Sequence, residues 1–249
     1  RSTLFPYTTL FRSPYRIYHL KIAGEANWPL LDEVIARIEA ARMRGLDVSA
    51  NAYPYTAAAT GFDAAMAPWV QEGGTEAWLA RLRDPAIRAR VVAEMSRPGE
   101  GWENLYAAAG SAQRVLLTGF RSEALRRYQG LTLAEAAERR GRSPEDTVVD
   151  LVLEDGSRGT AAYFLMSEAN VSRVVALPWV SLCTDEEALA PREPFHVHRP
   201  HPRAYGAFAR FLGHYVRDAG VASPGEAIRR LTSLPARNFR LEEIGRAHV

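Results

Sequence analysis

Apolar and polar positions along the chain change period in a way that marks out its elements. Tyr15 to Leu20 is a short β-like run. Leu30, Leu31, Val34, Ile35 and Ile38 then recur at helical spacing, with Asn27 as the expected cap, Pro29 in the first turn and Gly45 as the stop. Leu46 to Tyr53 returns as a strand. A strand, a covering helix and a second strand predict parallel α/β architecture.

The middle of the chain, about residues 61–159, has a more helical pattern and reads as an insertion between strands. Asp84-Pro85 opens one helix, the acid as cap and the proline in the first turn. Thr132 and Glu135 have capping-box spacing before a helix that ends at Gly141, and Ser143-Pro144 opens the next. Thr160 to Leu165 is strand-like, Ser167 caps a helix to Leu177, and Trp179 to Thr184 is a buried strand. After a proline-rich loop, Tyr205, Phe208, Phe211, Leu212, Tyr215 and Val216 mark an amphipathic helix, and Ser223-Pro224 caps another through Leu231. There is no internal repeat. The strands are too few to close a barrel, so the chain is expected to be part of a domain.

The two ends change the charge picture. Residues 1–13, RSTLFPYTTLFRS, resemble a translated sequencing-library adapter, and residues 243–249, EIGRAHV, resemble its opposite partner. The chain proper is then expected to be about residues 14–242. Of 31 Lys+Arg and 29 Asp+Glu, the ends hold Arg1, Arg12, Arg246 and Glu243, which leaves 28 of each sign. No electrostatic case for nucleic acid remains. Hydrophobic residues at 47% suit a folded chain, and no apolar run approaches a membrane span. A single cysteine, Cys183, fits a reducing compartment, and a cytoplasmic location is expected.

Among those cations only one is a lysine, Lys21, two residues after His19. If both lie in a strand they leave the same face, placing an anion-binding ammonium beside a metal-ligand candidate. A GC-rich genome accounts equally for the scarcity of lysine, but not for its position. Asp185 follows the apolar run Trp179–Thr184, where barrel enzymes place catalytic groups, and reads equally as a helix cap. His19 alone reads as a hydrogen-bonded core histidine. With Asp185 it makes a partial constellation for a hydrolytic zinc site, which needs at least one further ligand. His196-Val197-His198 has ligand spacing but sits in the proline-rich loop. Cys183 reads as a buried strand residue, and His201 and His214 read as packing residues.

Five segments carry a resemblance: HLKIAGEANW, AYPYTAAATGFDA, YFLMSEANV, CTDEEALAP, and HPRAYGAFARFLGHYVRD with TSLPARNF behind it. In this order they resemble the C-terminal portion of the D-aminoacylase (N-acyl-D-amino-acid deacylase) family of the amidohydrolase superfamily. The resemblance implies an incomplete (β/α)8 TIM barrel with a helical insertion, and one or two zinc ions in the intact enzyme. It implies zinc-dependent hydrolysis of the N-acyl amide of small-molecule N-acyl-D-amino acids. His19 corresponds to a metal ligand, and Asp185 to a metal-site aspartate acting as general base. Lys21, Tyr53 and Arg203 correspond to positions that bind the substrate carboxylate. Three departures stand out: Ala59, followed by Thr60, replaces a serine contact, Asn51 stands where many relatives have aspartate, and the turn Asp185-Glu186-Glu187-Ala188 is longer. Hydrolysis of a cyclic imide or a dipeptide is the alternative reaction. A chain inactive by itself is the alternative outside catalysis.

Overall fold

The computed structural model describes residues 14–188, 190–192 and 199–241. The two adapter-like ends, 1–13 and 243–249, lie outside the described residues. Two three-stranded sheets organise the rest. The first is parallel, in the order β1 (Tyr15–Ile17), β2 (Val48–Ala52), β6 (Val180–Leu182). Tyr15 pairs with Val48, and Ala50 and Ala52 pair with Val180 and Leu182. The second is antiparallel, with β5 (Thr160–Phe164) between β3 (Ala57–Thr60) and β4 (Val115–Gly119).

The predicted strand–helix–strand unit is present with sharper limits. β1 stops at Ile17 rather than Leu20, because His19 turns into the left-handed region at φ 41°. Asn27 is not the helix cap. It lies inside a 3₁₀ turn, Glu25–Leu30, with its side-chain amide donating to the Ala23 carbonyl at 2.8 Å. The α-helix starts at Leu31 and runs to Met43, burying Leu31, Ile38 and Ala41. Gly45 reverses the chain at φ 82°, a conformation that costs a residue with a Cβ. The helix packs with Ile22, Val48, Ala50, Val174, Trp179 and Val180 into a small core over the parallel sheet.

The expected caps recur in the middle. Asp84 accepts from the amides of Ala86 and Ile87 ahead of the helix Pro85–Met95. Thr132 and Glu135 form a reciprocal capping box for Leu133–Arg140, and Ser143 caps Pro144–Asp155. These helices cover the antiparallel sheet, with Leu117, Tyr163, Leu133 and Val149 in a second, larger core. β4 was not anticipated from the pattern, because Val115-Leu116-Leu117 is flanked by short helical turns.

The aromatic helix departs from expectation. Arg203–Arg210 is α-helical, but Phe211–Asp218 winds as a π-helix. The wider turn breaks the 3.6-residue stripe. Phe211, Tyr215 and Val216 are buried, while Tyr205 and Phe208 are exposed. A further helix, Ser233–Asn238, follows Pro224–Leu231.

Phe211→Ala should therefore lower stability by about 3–5 kcal/mol. Phe208→Ala should stay within about 0.5 kcal/mol, the ordinary range for a surface change. Urea unfolding of the two variants checks the difference.

Candidate functional site

The sequence-derived candidates gather at one place: the C-terminal ends of the three parallel strands. His19 and Lys21 follow β1, Tyr53 follows β2, and Cys183 and Asp185 follow β6. Parallel sheets present side chains to ligands at this edge. Arg203 arrives from the first turn of its helix. Three non-glycine residues have positive φ among those described, and two of them are His19 (41°) and Asp185 (50°), the third being Arg240 (53°). Such backbone needs support from its surroundings. For His19 the support is Asn51, whose side-chain carbonyl accepts the His19 amide at 2.6 Å while its backbone carbonyl accepts the Leu20 amide at 2.7 Å.

Two cations converge on one ring. The Lys21 ammonium lies 5.2 Å from the Tyr53 ring centre, and the Arg203 guanidinium lies 4.7 Å from it. Arg203 is buried, with Nη1 2.7 Å from Asp185 Oδ2 and Nε 3.4 Å from Glu186 Oε2. Burial lowers the pKa of Lys21, Arg203 adds to the effect, and Asp185 opposes it. The Tyr53 hydroxyl is buried beside the Arg203 guanidinium, and its O–H finds no acceptor among the described residues. Burial is also the main cause that raises its pKa.

Sequence reasoning missed Tyr18 and Glu186. The Tyr18 hydroxyl donates to Asp185, which raises the tyrosine's pKa, and its ring stands 4.6 Å from that of His19. An aromatic residue beside a candidate histidine was the available signal. Glu186 belongs to the lengthened turn already noted as a departure. His201, read as a packing residue, is buried against Tyr55 and hydrogen-bonded to the Arg203 amide. His214 is exposed, 3.6 Å from Glu168. His196-Val197-His198 lies outside the described residues.

Zinc is the metal that the resemblance leads one to expect here. An imidazole and a carboxylate are suitable donors, but two do not hold an ion. Among the described residues no group of three or more His, Cys, Asp or Glu is placed to bind a metal. The Lys21 ammonium also lies 2.7 Å from His19 Nδ1. An ammonium has no lone pair, so that nitrogen accepts and Nε2 carries the ring hydrogen. In this arrangement His19 serves Lys21, and the described residues do not by themselves fit a metal.

Relatives of the chain are informative here. No protein-family model matches it. It is 28% identical over 228 residues to a D-aminoacylase of Alcaligenes xylosoxydans xylosoxydans, covering 92% of this chain and 35% of that protein. A solved D-aminoacylase, studied for its binuclear metal centre, superposes with a TM-score of 0.62 at 30% identity, over 92% of this chain and 36% of that one. An N-acyl-D-glutamate deacylase from Bordetella bronchiseptica, complexed with zinc and a phosphonate inhibitor, has the same fold at TM-score 0.64 and 24% identity, with the same coverage. The chain spans about a third of the length of these relatives.

Cys183 provides a check on the site's interior. Its thiol donates to the Asn51 side-chain carbonyl at 3.4 Å, and burial, with Asp185 nearby, pushes its pKa up to about 12. At pH 8 the folded thiol should react with a disulfide reagent at least ~100-fold more slowly than the urea-unfolded thiol, because little thiolate is present. The raised pKa also means that the unfolded chain loses this proton first. Stability should therefore decline as pH rises from about 9 towards 12. A thiol equally reactive in both states would contradict this environment.

Proposed function

For a chain that belongs to the D-aminoacylase (N-acyl-D-amino-acid deacylase) family of amidohydrolases, we propose the chemistry of that family: hydrolysis of the amide bond of an N-acyl-D-amino acid. We place the site at the C-terminal edge of the parallel strands, within the C-terminal part of an incomplete (β/α)8 barrel. The observation that carries the proposal is the pair of cations, Lys21 and Arg203, against the single Tyr53 ring. Arg203 and Asp185 both act on Lys21 electrostatically, in opposite senses, and Asp185 is itself paired with Arg203. An α-carboxylate has the charge and the oxygen geometry to engage both. The guanidinium offers a planar pair of N–H donors, and the ammonium a compact third. The Tyr53 hydroxyl, whose O–H has no acceptor among the described residues, supplies a neutral donor.

With the carboxylate held, the acyl amide is directed towards Asp185. The Asp185 carboxylate takes a proton from water as the oxygen bonds to the acyl carbon, then passes it to the amide nitrogen as the C–N bond breaks. The products are a carboxylic acid and a free amino acid. Tyr18, donating to Asp185, holds that carboxylate in place. Zinc belongs to the solved relative. The resemblance assigns His19 and Asp185 to such a centre, but with His19 Nδ1 engaged by Lys21 and only two donors present they do not hold an ion, and no step here passes through one.

Lys21→Ala should weaken binding of N-acetyl-D-methionine by about 10-fold or more, the loss expected for a hydrogen bond to a charged group. Binding of the methyl ester should change little, and isothermal titration calorimetry reads both. An equal loss on the ester would argue against a carboxylate clamp. In protein that turns over N-acetyl-D-methionine, Asp185→Asn should lower kcat by about 100-fold or more. Full retention of kcat would remove Asp185 as the base.

A further inference from the structure

His201 is a buried titratable group for which the proposed chemistry has no use. It is 4% exposed, on the loop that leads into the helix Arg203–Arg210. Its Nδ1 accepts the backbone N–H of Arg203 at 3.0 Å. A second hydrogen bond joins the ring to the backbone of Ala57, the first residue of β3. A neutral imidazole has one acceptor and one donor nitrogen. With Nδ1 accepting, Nε2–H must donate to the Ala57 carbonyl. Burial and the Arg203 charge lower the His201 pKa to about 4, in keeping with a ring that stays neutral. The ring meets Tyr55 edge-on at 5.2 Å and lies 6.4 Å from Tyr53.

The need for this arrangement is local. The first amides of a helix have no partner within it. The residue ahead of Arg203 is Pro202, which makes no side-chain cap. His201 satisfies the Arg203 amide from one residue further back and ties it to the antiparallel sheet. The backbone of Arg203 is thereby fixed relative to Tyr53, whose ring its guanidinium covers at 4.7 Å.

We propose that His201 is a positioning residue, bridging Ala57 and the Arg203 amide so that the guanidinium stands where a substrate carboxylate is bound. The inference rests on the reading of Arg203 as a carboxylate ligand. Its test measures the affinity of the full chain for N-acetyl-D-methionine by isothermal titration calorimetry. Asn places its side-chain oxygen near the position of Nδ1, whereas Gln places its amide near Nε2 and Leu offers neither group. His201→Leu and His201→Gln should each weaken binding about 10-fold, and His201→Asn should stay within about 3-fold of the unsubstituted chain. In an Arg203→Ala background, His201→Leu should add less than about 2-fold, because coupled residues are not additive.

If Arg203→Ala abolishes binding and His201→Leu leaves it intact, His201 positions nothing and the clamp stands. If Arg203→Ala itself binds normally, the clamp reading fails and this inference falls with it. A His201→Leu loss undiminished in the Arg203→Ala background would also overturn it. Should the Leu variant not fold, ¹⁵N NMR of the unsubstituted chain decides. An Nε2–H tautomer for His201 supports the bridge, and an Nδ1–H tautomer overturns it.

Discussion

The site depends on a tension between like charges. Lys21 and Arg203 approach the same Tyr53 ring, which attracts each through its face while they repel each other. Asp185 and Glu186 relieve part of that repulsion by pairing with Arg203. Lys21 has no carboxylate in salt-bridge contact among the described residues and leans on the lone pair of His19 instead. Burial is the main cause of the lowered lysine pKa, with Arg203 adding to it against the pull of Asp185. On the proposed reading, a bound carboxylate would supply the anionic partner that Lys21 lacks in salt-bridge contact.

The strand ends translate that requirement into backbone. β1, β2 and β6 are parallel neighbours, so their C-terminal ends lie side by side along one edge. A strand continued beyond that edge would carry its side chains away in alternate directions. Instead, the chain turns at His19 and Asp185, each in the left-handed region. Asn51 links the His19 turn to β2, and the thiol of Cys183 reaches the same Asn51 oxygen from the β6 side. One side chain on the central strand therefore joins the exits of all three.

Much of this was legible in the chain itself, for identifiable reasons. Helix starts were readable because their signals are local: Asp84-Pro85, Thr132 with Glu135, Ser143-Pro144 and Ser167 all cap as their types dictate. Lys21, Tyr53, Asp185 and Arg203 were recognisable as candidates from ordered resemblance, and the structure brings them together. What stayed hidden depends on contacts distant in sequence. The end of β1 at Ile17 is enforced by Asn51, more than thirty residues away. The role of His201 depends on Ala57, far earlier in the chain. The π-helical winding of Phe211–Asp218 leaves no mark in a periodicity that assumes 3.6 residues per turn. Nor does sequence show that His19 faces an ammonium rather than an open coordination position.

The lone lysine can now be weighed against its arginine neighbours in physical terms. Elsewhere arginine forks to carboxylates in partly exposed pairs, at Arg16–Asp47, Arg88–Asp146 and Arg229–Glu226. At position 21 the cation must approach His19 Nδ1 to 2.7 Å while staying over the face of Tyr53, on a ring that Arg203 also covers. A planar guanidinium that satisfied the imidazole would have to lie edge-on to it. A compact ammonium with rotatable donors meets both demands. The geometry thus supplies a reason for lysine at this position that genome composition alone does not.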